Sequence, residues 1–187
     1  KHGYDILIQL LKKGLENNNI EITGSSKYHS FLPLIPESEI ERQISINEST
    51  LKEYFGDLWQ PKGFFPPEMG YDPKILPIIQ KHGYQWIIVD EIAYAKGVEF
   101  PKYDKFYDIE NHGLKVFFRN RRVSNLMMSG VARDLNTLQS AMLSEMQNNE
   151  YLVTGMDGET FGHHRIGLEN FLFTILEAIL TESSITS

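Results

Sequence analysis

Ile6, Leu7, Leu10, Leu11 and Leu15 recur at helical spacing near the start of the chain, and Asn17, Asn18 and Asn19 close the run. The pattern predicts an amphipathic helix over 4–15. Residues 20–24, Ile-Glu-Ile-Thr-Gly, read as a short strand. Spaced Ile and Leu residues among Glu37, Glu39, Glu41 and Glu48 predict a helix over 36–55, broken near Asn47 and restarting at Glu48. Gly63-Phe64-Phe65 is a brief apolar run stopped by Pro66-Pro67, and Asp72-Pro73 opens a helix that runs to residue 81, with the proline at its first position. Residues 86–89, Trp-Ile-Ile-Val, form a continuous apolar run before Asp90-Glu91, the pattern of a strand buried on both faces. A turn-rich stretch over 97–113 separates it from a second buried strand at 114–118. Helices follow over 132–146 and 166–180, with a strand at 151–154 between them.

Five strands alternating with helices predict an α/β fold, a parallel sheet or part of a barrel, and each strand is followed by polar or charged residues. Neither a repeat nor a linker interrupts the pattern, so residues 1–182 read as one domain and 183–187 as a frayed tail. The opening Lys1-His2-Gly3 has no initiator Met and runs at once into the first helix, and the expectation is a chain cut from something longer.

Composition narrows the classes. With 187 residues the chain can bury a substantial core, and 41% hydrophobic and 23% charged residues rule out wholesale disorder. A net charge of −7 argues against a nucleic-acid footprint. No run reaches the ~20 apolar residues of a membrane span, and no signal-peptide plan is present. The absence of Cys removes disulfides, thiolate nucleophiles and thiolate metal sites together, and fits a reducing, cytoplasmic setting.

In parallel α/β folds the C-terminal strand ends share the rim on which active sites are built, so the residues after each strand are the candidates. Glu68 follows an apolar strand and two prolines, which hold it at low entropic cost; it reads as a rigid nucleophile or as a solvated turn residue. Met156-Asp157-Gly158-Glu159-Thr160-Phe161-Gly162-His163-His164 gathers two carboxylates and two imidazoles. The segment suits proton transfer, a metal ion, or a plain helix cap by Asp157 or Thr160. Asp90 fits the rim or a strand end returning to water. Arg119, Arg121 and Arg122 suit an anion or nearby carboxylates. His29 reads as a ligand contact or a hydrogen-bonded core histidine, whereas His2, His82 and His112 sit beside glycines and read as exposed. Trp59, Phe64, Phe65 and Trp86 suit sugar stacking or the core. No G-x-S-x-G elbow, P-loop or G-x-G-x-x-G is present. Two carboxylates on strand ends, Glu68 and Asp157, fit glycoside cleavage.

At these residues the chain resembles glycoside hydrolase family 57, the group of α-amylase-like, amylopullulanase-like, branching and 4-α-glucanotransferase enzymes. Residues 21–34, Glu-Ile-Thr-Gly-Ser-Ser-Lys-Tyr-His-Ser-Phe-Leu-Pro-Leu, look like the family's second motif. Pro61-Lys62-Gly63-Phe64-Phe65-Pro66-Pro67-Glu68 looks like the third, and Met156 to His164 like the fourth. Phe117-Phe118-Arg119-Asn120-Arg121-Arg122-Val123-Ser124 resembles a segment usually written F-R-D-x-x-L-S-D. The motifs stand in family order, and the resemblance covers about residues 4 to 180. It implies an incomplete (β/α)7 barrel with about five βα units, lacking the strand that carries the first, His-Gln-Pro-type motif. Asn120 and Asn125 stand where the family commonly has Asp, and Met69-Gly70 where many members have Cys or Ala.

The resemblance further implies a retaining α-glycosidase or α-glucan transferase, with Glu68 as nucleophile and Asp157 as acid/base. Their carboxyl groups would stand ~5–5.5 Å apart for retention. His29, His163 and Asp90 would contact the sugar, and Trp59, Phe64 and Phe161 would stack on it. The implied partner is an α-glucan or oligosaccharide, beside the missing N-terminal part of the barrel or a second copy of the chain; no cofactor and no metal are called for. The alternatives are a metal-dependent polysaccharide deacetylase, which needs an Asp and two His on one ion, and a carbohydrate-binding fragment without activity.

Overall fold

β1 (Gly63–Phe64) and β2 (Trp86–Asp90) pair in parallel, Gly63 opposite Trp86 and Phe64 opposite Ile87, in a computed structural model that describes residues 4–97, 99–109, 113–145 and 151–181. Ile87, Ile88 and Val89 are all buried, as a β-branched run covered on both faces should be. The sheet continues in the order β1-β2-β4-β3, where β3 is Tyr107–Ile109 and β4 is Leu114–Arg119. β3 and β4 are antiparallel, with Asp108 opposite Lys115. The sheet is therefore mixed where the sequence pattern predicts parallel strands. The difference arises in the turn-rich stretch, which supplies β3 and turns back at Gly113, whose φ of 59° suits a residue without Cβ.

The chain forms two compact units, Lys1–Ala93 with Phe106–Phe117 and Tyr94–Lys105 with Phe118–Ser187. In the first, α1 (Asp5–Glu16) matches its predicted span and buries none of its residues. α2 (Glu37–Phe55) runs unbroken through Asn47, because that side chain accepts a bond from Ser25 N at 3.2 Å and does not compete for its own helix backbone. Ile40, Ile44 and Phe55 are its buried apolar residues. A 3₁₀ turn, Pro73–Ile75, leads into α3 (Leu76–Lys81), which packs against α2. Asp72 Oδ1 accepts from Lys74 N at 2.9 Å, the cap predicted from Asp-Pro.

The predicted strand at 20–24 shrinks to one bridge, Gly24 to Phe64. Glu21 explains why: its Oε1 accepts from Lys62 N at 2.9 Å and Gly63 N at 3.1 Å, so a side chain takes donors that a longer strand would have paired through its backbone.

The second unit is helical. Arg121 and Arg122 open α4 (Arg121–Met128), where the sequence pattern shows only a charged strand end, and Asn120 Oδ1 caps it from Val123 N at 2.9 Å. α5 (Leu135–Glu145) begins three residues later than predicted because Asp134 caps it through Thr137. With α6 (Leu168–Thr181) these helices enclose a core of Val123, Met127, Ala132, Leu138, Leu168 and Phe171. The strand predicted at 151–154 is a single parallel bridge between Val153 and Arg119. No helix among the described residues is long and apolar enough to cross a membrane. The predicted tail at 183–187 lies outside the described residues, as do His2 and His112.

Candidate functional site

The first unit builds its polar cluster from the end of β1. Phe65 N donates to Gly24 O at 2.8 Å, and buried Pro66 and Pro67 then force a tight turn closed by Met69 N to Pro66 O at 2.8 Å and Gly70 N to Pro67 O at 3.0 Å. Inside that turn Glu68 has φ 58° and Met69 φ 50°, left-handed conformations that cost a residue with a Cβ about 1–2 kcal/mol each. The strain is held by the prolines and by Phe31, whose ring lies where a side chain at Gly70 would have to go. The result lifts the Glu68 carboxylate out of the fold, with the side chain 69% exposed.

His29 Nε2 stands 2.9 Å from Glu68 Oε1, and His29 is itself left-handed at φ 53°. α2 holds the loop that carries it. Tyr28 N donates to Gln43 Oε1 at 3.0 Å, Lys27 N to Gln43 O at 3.3 Å, and Lys27 Nζ to Thr50 Oγ1 at 3.0 Å. Gln43→Ala removes the acceptor of the Tyr28 N–H and lowers stability by about 0.5–1.5 kcal/mol. A urea midpoint unchanged from wild type would show that the loop does not depend on this bond.

Trp59 and Phe64 require correction as stacking surfaces. Trp59 is buried, its indole N–H donating to Ile22 O at 2.8 Å. Phe64 is fully buried and meets Tyr84 edge-on, ring centroids 5.1 Å apart. Neither ring has a free face; both serve the core. His82 is a second correction. It is only 12% exposed at the side chain, because it caps α3 facing α2, where Nδ1 lies 3.0 Å from Glu48 Oε1. Tyr84 OH donates to the same oxygen at 3.1 Å, and burial, with the Glu48 carboxylate beside it, pushes that phenol's pKa up. Asp90 ends β2 half-buried, its Oδ1 accepting from Ile92 N at 3.1 Å.

In the second unit Asp157 is exposed at the head of the 3₁₀ turn Gly158–Thr160. Its carbonyl accepts from Thr160 N at 3.0 Å, while its side chain makes no cap bond. Phe161 is half-buried against the helical core. His163 and His164 are exposed and meet each other edge-on at 5.0 Å. Among the described residues no group of three or more His, Asp and Glu could hold a metal ion.

The arginines after β4 divide their work. Arg122 Nη1 pairs with Glu145 at 2.8 Å, whereas Arg119 is buried and its Nε donates to Gly155 O at 2.6 Å. Asn125 Oδ1 accepts from Arg119 Nη2 at 3.1 Å, and Asn120 both caps α4 and donates from Nδ2 to Glu145 at 3.2 Å. Each asparagine thus keeps the acceptor an aspartate would offer, and Asn120 adds a donor that an aspartate lacks. Ser124, the Ser of the segment resembling F-R-D-x-x-L-S-D, is fully buried, and its Oγ accepts from Gly155 N at 3.2 Å. That segment carries Arg119, Asn120, Ser124 and Asn125 of this network, but nothing in it points to their shared partner loop at Gly155.

The family model described as glycosyl hydrolase family 57 matches residues 4–186. "Alpha-amylase" of Niallia circulans is 26% identical over 98 residues, 50% of this chain and 8% of that protein. "Alpha-amylase 1" of Dictyoglomus thermophilum is 26% identical over 155 residues, 81% of this chain and 22% of that protein. The chain thus spans under a quarter of the length of these relatives. The crystal structure of a 4-alpha-glucanotransferase from Thermococcus litoralis superposes with a TM-score of 0.78 at 17% identity, covering 97% of this chain and 29% of that one. That likeness carries the fold: α/β, with the architecture of part of a (β/α)7-type enzyme.

Proposed function

Because the chain belongs to glycosyl hydrolase family 57, we propose that it carries the catalytic residues of a retaining α-glycosidase or α-glucan transferase. Glu68 attacks C1 of the sugar while Asp157 gives its proton to the departing glycosidic oxygen, leaving a covalent glycosyl-enzyme. Asp157, now a carboxylate, takes a proton from water or from an acceptor sugar hydroxyl, whose oxygen attacks C1 and releases Glu68. α-Glucan is the substrate class, in keeping with the amylase and glucanotransferase names of the similar proteins.

The observation that carries this reading is the Glu68 carboxylate itself, raised on two successive left-handed residues and met by His29 at 2.9 Å. Strain of this kind collects where a side chain must be presented rigidly, as a nucleophile must. His29 orients the attacking oxygen. His163, Phe161 and Asp90 contact the sugar, and Trp59 and Phe64 support the site from within the core. The chemistry calls for no cofactor or metal, residues 1–182 belong to part of a catalytic barrel, and the Cys-free sequence suits the cytoplasm.

The stereochemistry of the first product tests the proposal. A maltooligosaccharide followed by proton NMR during early turnover should yield the α-anomer first, before mutarotation. A β-anomer formed first would establish inversion and remove the covalent role from Glu68.

A further inference from the structure

We propose that Arg119 and Ser124 are positioning residues for Asp157, a proposal that rests on reading Asp157 as the acid/base. The Asp157 side chain makes no cap bond, so its place is set by the backbone that delivers it. That backbone is gripped at Gly155, two residues earlier, on both of its polar groups. Arg119 Nε donates to Gly155 O at 2.6 Å, and Ser124 Oγ accepts from Gly155 N at 3.2 Å. One step further back, Asn120 N donates to Val153 O at 2.8 Å. The last residue of β4 and the cap of α4 supply two of these bonds, through Arg119 Nε and Asn120 N, and the first turn of α4 supplies the third through Ser124.

The grip is built to be stiff. Ser124 is fully buried and its hydroxyl proton is committed to Asn120 O at 2.6 Å, which leaves an oxygen lone pair aimed at Gly155 N. Arg119 is 5% exposed, and its planar fork sends Nε to the loop while Nη2 reaches Asn125 at 3.1 Å, so one rigid group joins the Asp157 loop to α4. Lysine lacks the planar fork whose separate nitrogens reach these two acceptors in a fixed geometry, so Arg119→Lys loosens the grip. Beyond Asp157 the chain is tied again by Thr160 N to Asp157 O at 3.0 Å. The carboxylate therefore sits on a short span anchored at both ends, where a displacement of ~1 Å costs about 10²-fold in rate.

The test compares the full chain with Arg119→Lys, Ser124→Ala and Asp157→Asn on two substrates. One is a maltooligosaccharide, whose leaving oxygen needs a proton. The other is the corresponding α-glycosyl fluoride with added azide, which needs neither acid nor base. Both positioning variants should lose about 10–10²-fold in kcat on the oligosaccharide with KM little changed, and far less on the fluoride. Asp157→Asn should show the same pattern more strongly. Hydrogen exchange over residues 153–158 should quicken in both positioning variants. Equal losses on the two substrates, or unchanged exchange over 153–158, would overturn the proposal. Should Arg119→Lys fail to fold, the smaller Ser124→Ala change decides alone. An Asp157→Asn variant as active as wild type would overturn the acid/base reading and this inference with it. A defective Asp157→Asn beside normal Arg119→Lys and Ser124→Ala would overturn the inference only.

Discussion

Glu68→Gln should abolish turnover of α-glucan, by about 10⁴–10⁶-fold in kcat, the order seen when a covalent nucleophile is removed. The amide has the shape of the carboxylate and its oxygen can still accept from His29, so the 2.9 Å contact survives while nucleophilicity is lost. Stability should not change, because the side chain is 69% exposed and the backbone strain at φ 58° is the same for glutamine. The readout is therefore kcat with an unshifted melting temperature. Azide sharpens it: with Glu68→Ala, which vacates the space of the carboxylate, it should attack C1 directly and yield a glycosyl azide of inverted configuration, whereas with Asp157→Asn it intercepts the glycosyl-enzyme and yields the retained one. A Glu68→Gln protein that still turns over glucan would remove Glu68 from the chemistry.

Phe64→Ala should cost about 3–5 kcal/mol of folding free energy, a large part of the 5–15 kcal/mol typical of a domain. Phe64 is fully buried, meets Tyr84 edge-on at 5.1 Å, and sits in β1, where Gly24 bridges it on one side and Ile87 on the other. Its neighbours cannot close the gap cheaply, for Tyr84 is held by Glu48 and abuts Gly24. Urea unfolding should show a lower midpoint with an unchanged slope. The same variant separates packing from sugar stacking. A stacking residue would weaken substrate binding with little loss of stability, and an effect below about 1 kcal/mol would place Phe64 outside the core.

Much of the second substitution's logic was invisible in the pattern of residues. Gly63-Phe64-Phe65 reads as a strand and as a set of aromatic platforms equally well, because a two-residue strand has no periodicity from which to assign its faces. The same limit hid β3, three residues within a turn-rich stretch, and it overextended 20–24 and 151–154, where side chains from Glu21 and Ser124 take up backbone donors that strands would otherwise pair. Asn47 shows the opposite error. Its propensity suggests a break in α2, but a bond to Ser25 N, 22 residues away, engages the side chain elsewhere.

Long amphipathic stretches were legible because burial on one helix face writes its period into every turn, so α1, α2 and α6 follow from the chain alone, as do the α/β alternation and the position of Glu68 behind two prolines. The order of the motifs was likewise enough to suggest the family. Tertiary structure alone decided which polar groups meet. His29 and Glu68 lie 39 residues apart, and Arg119 and Gly155 lie 36 apart. It also decided that Trp59 and His82 face inward. Local periodicity records how much of a side chain is buried on average; the identity of its partner depends on contacts between distant segments, and those exist only once the chain has folded.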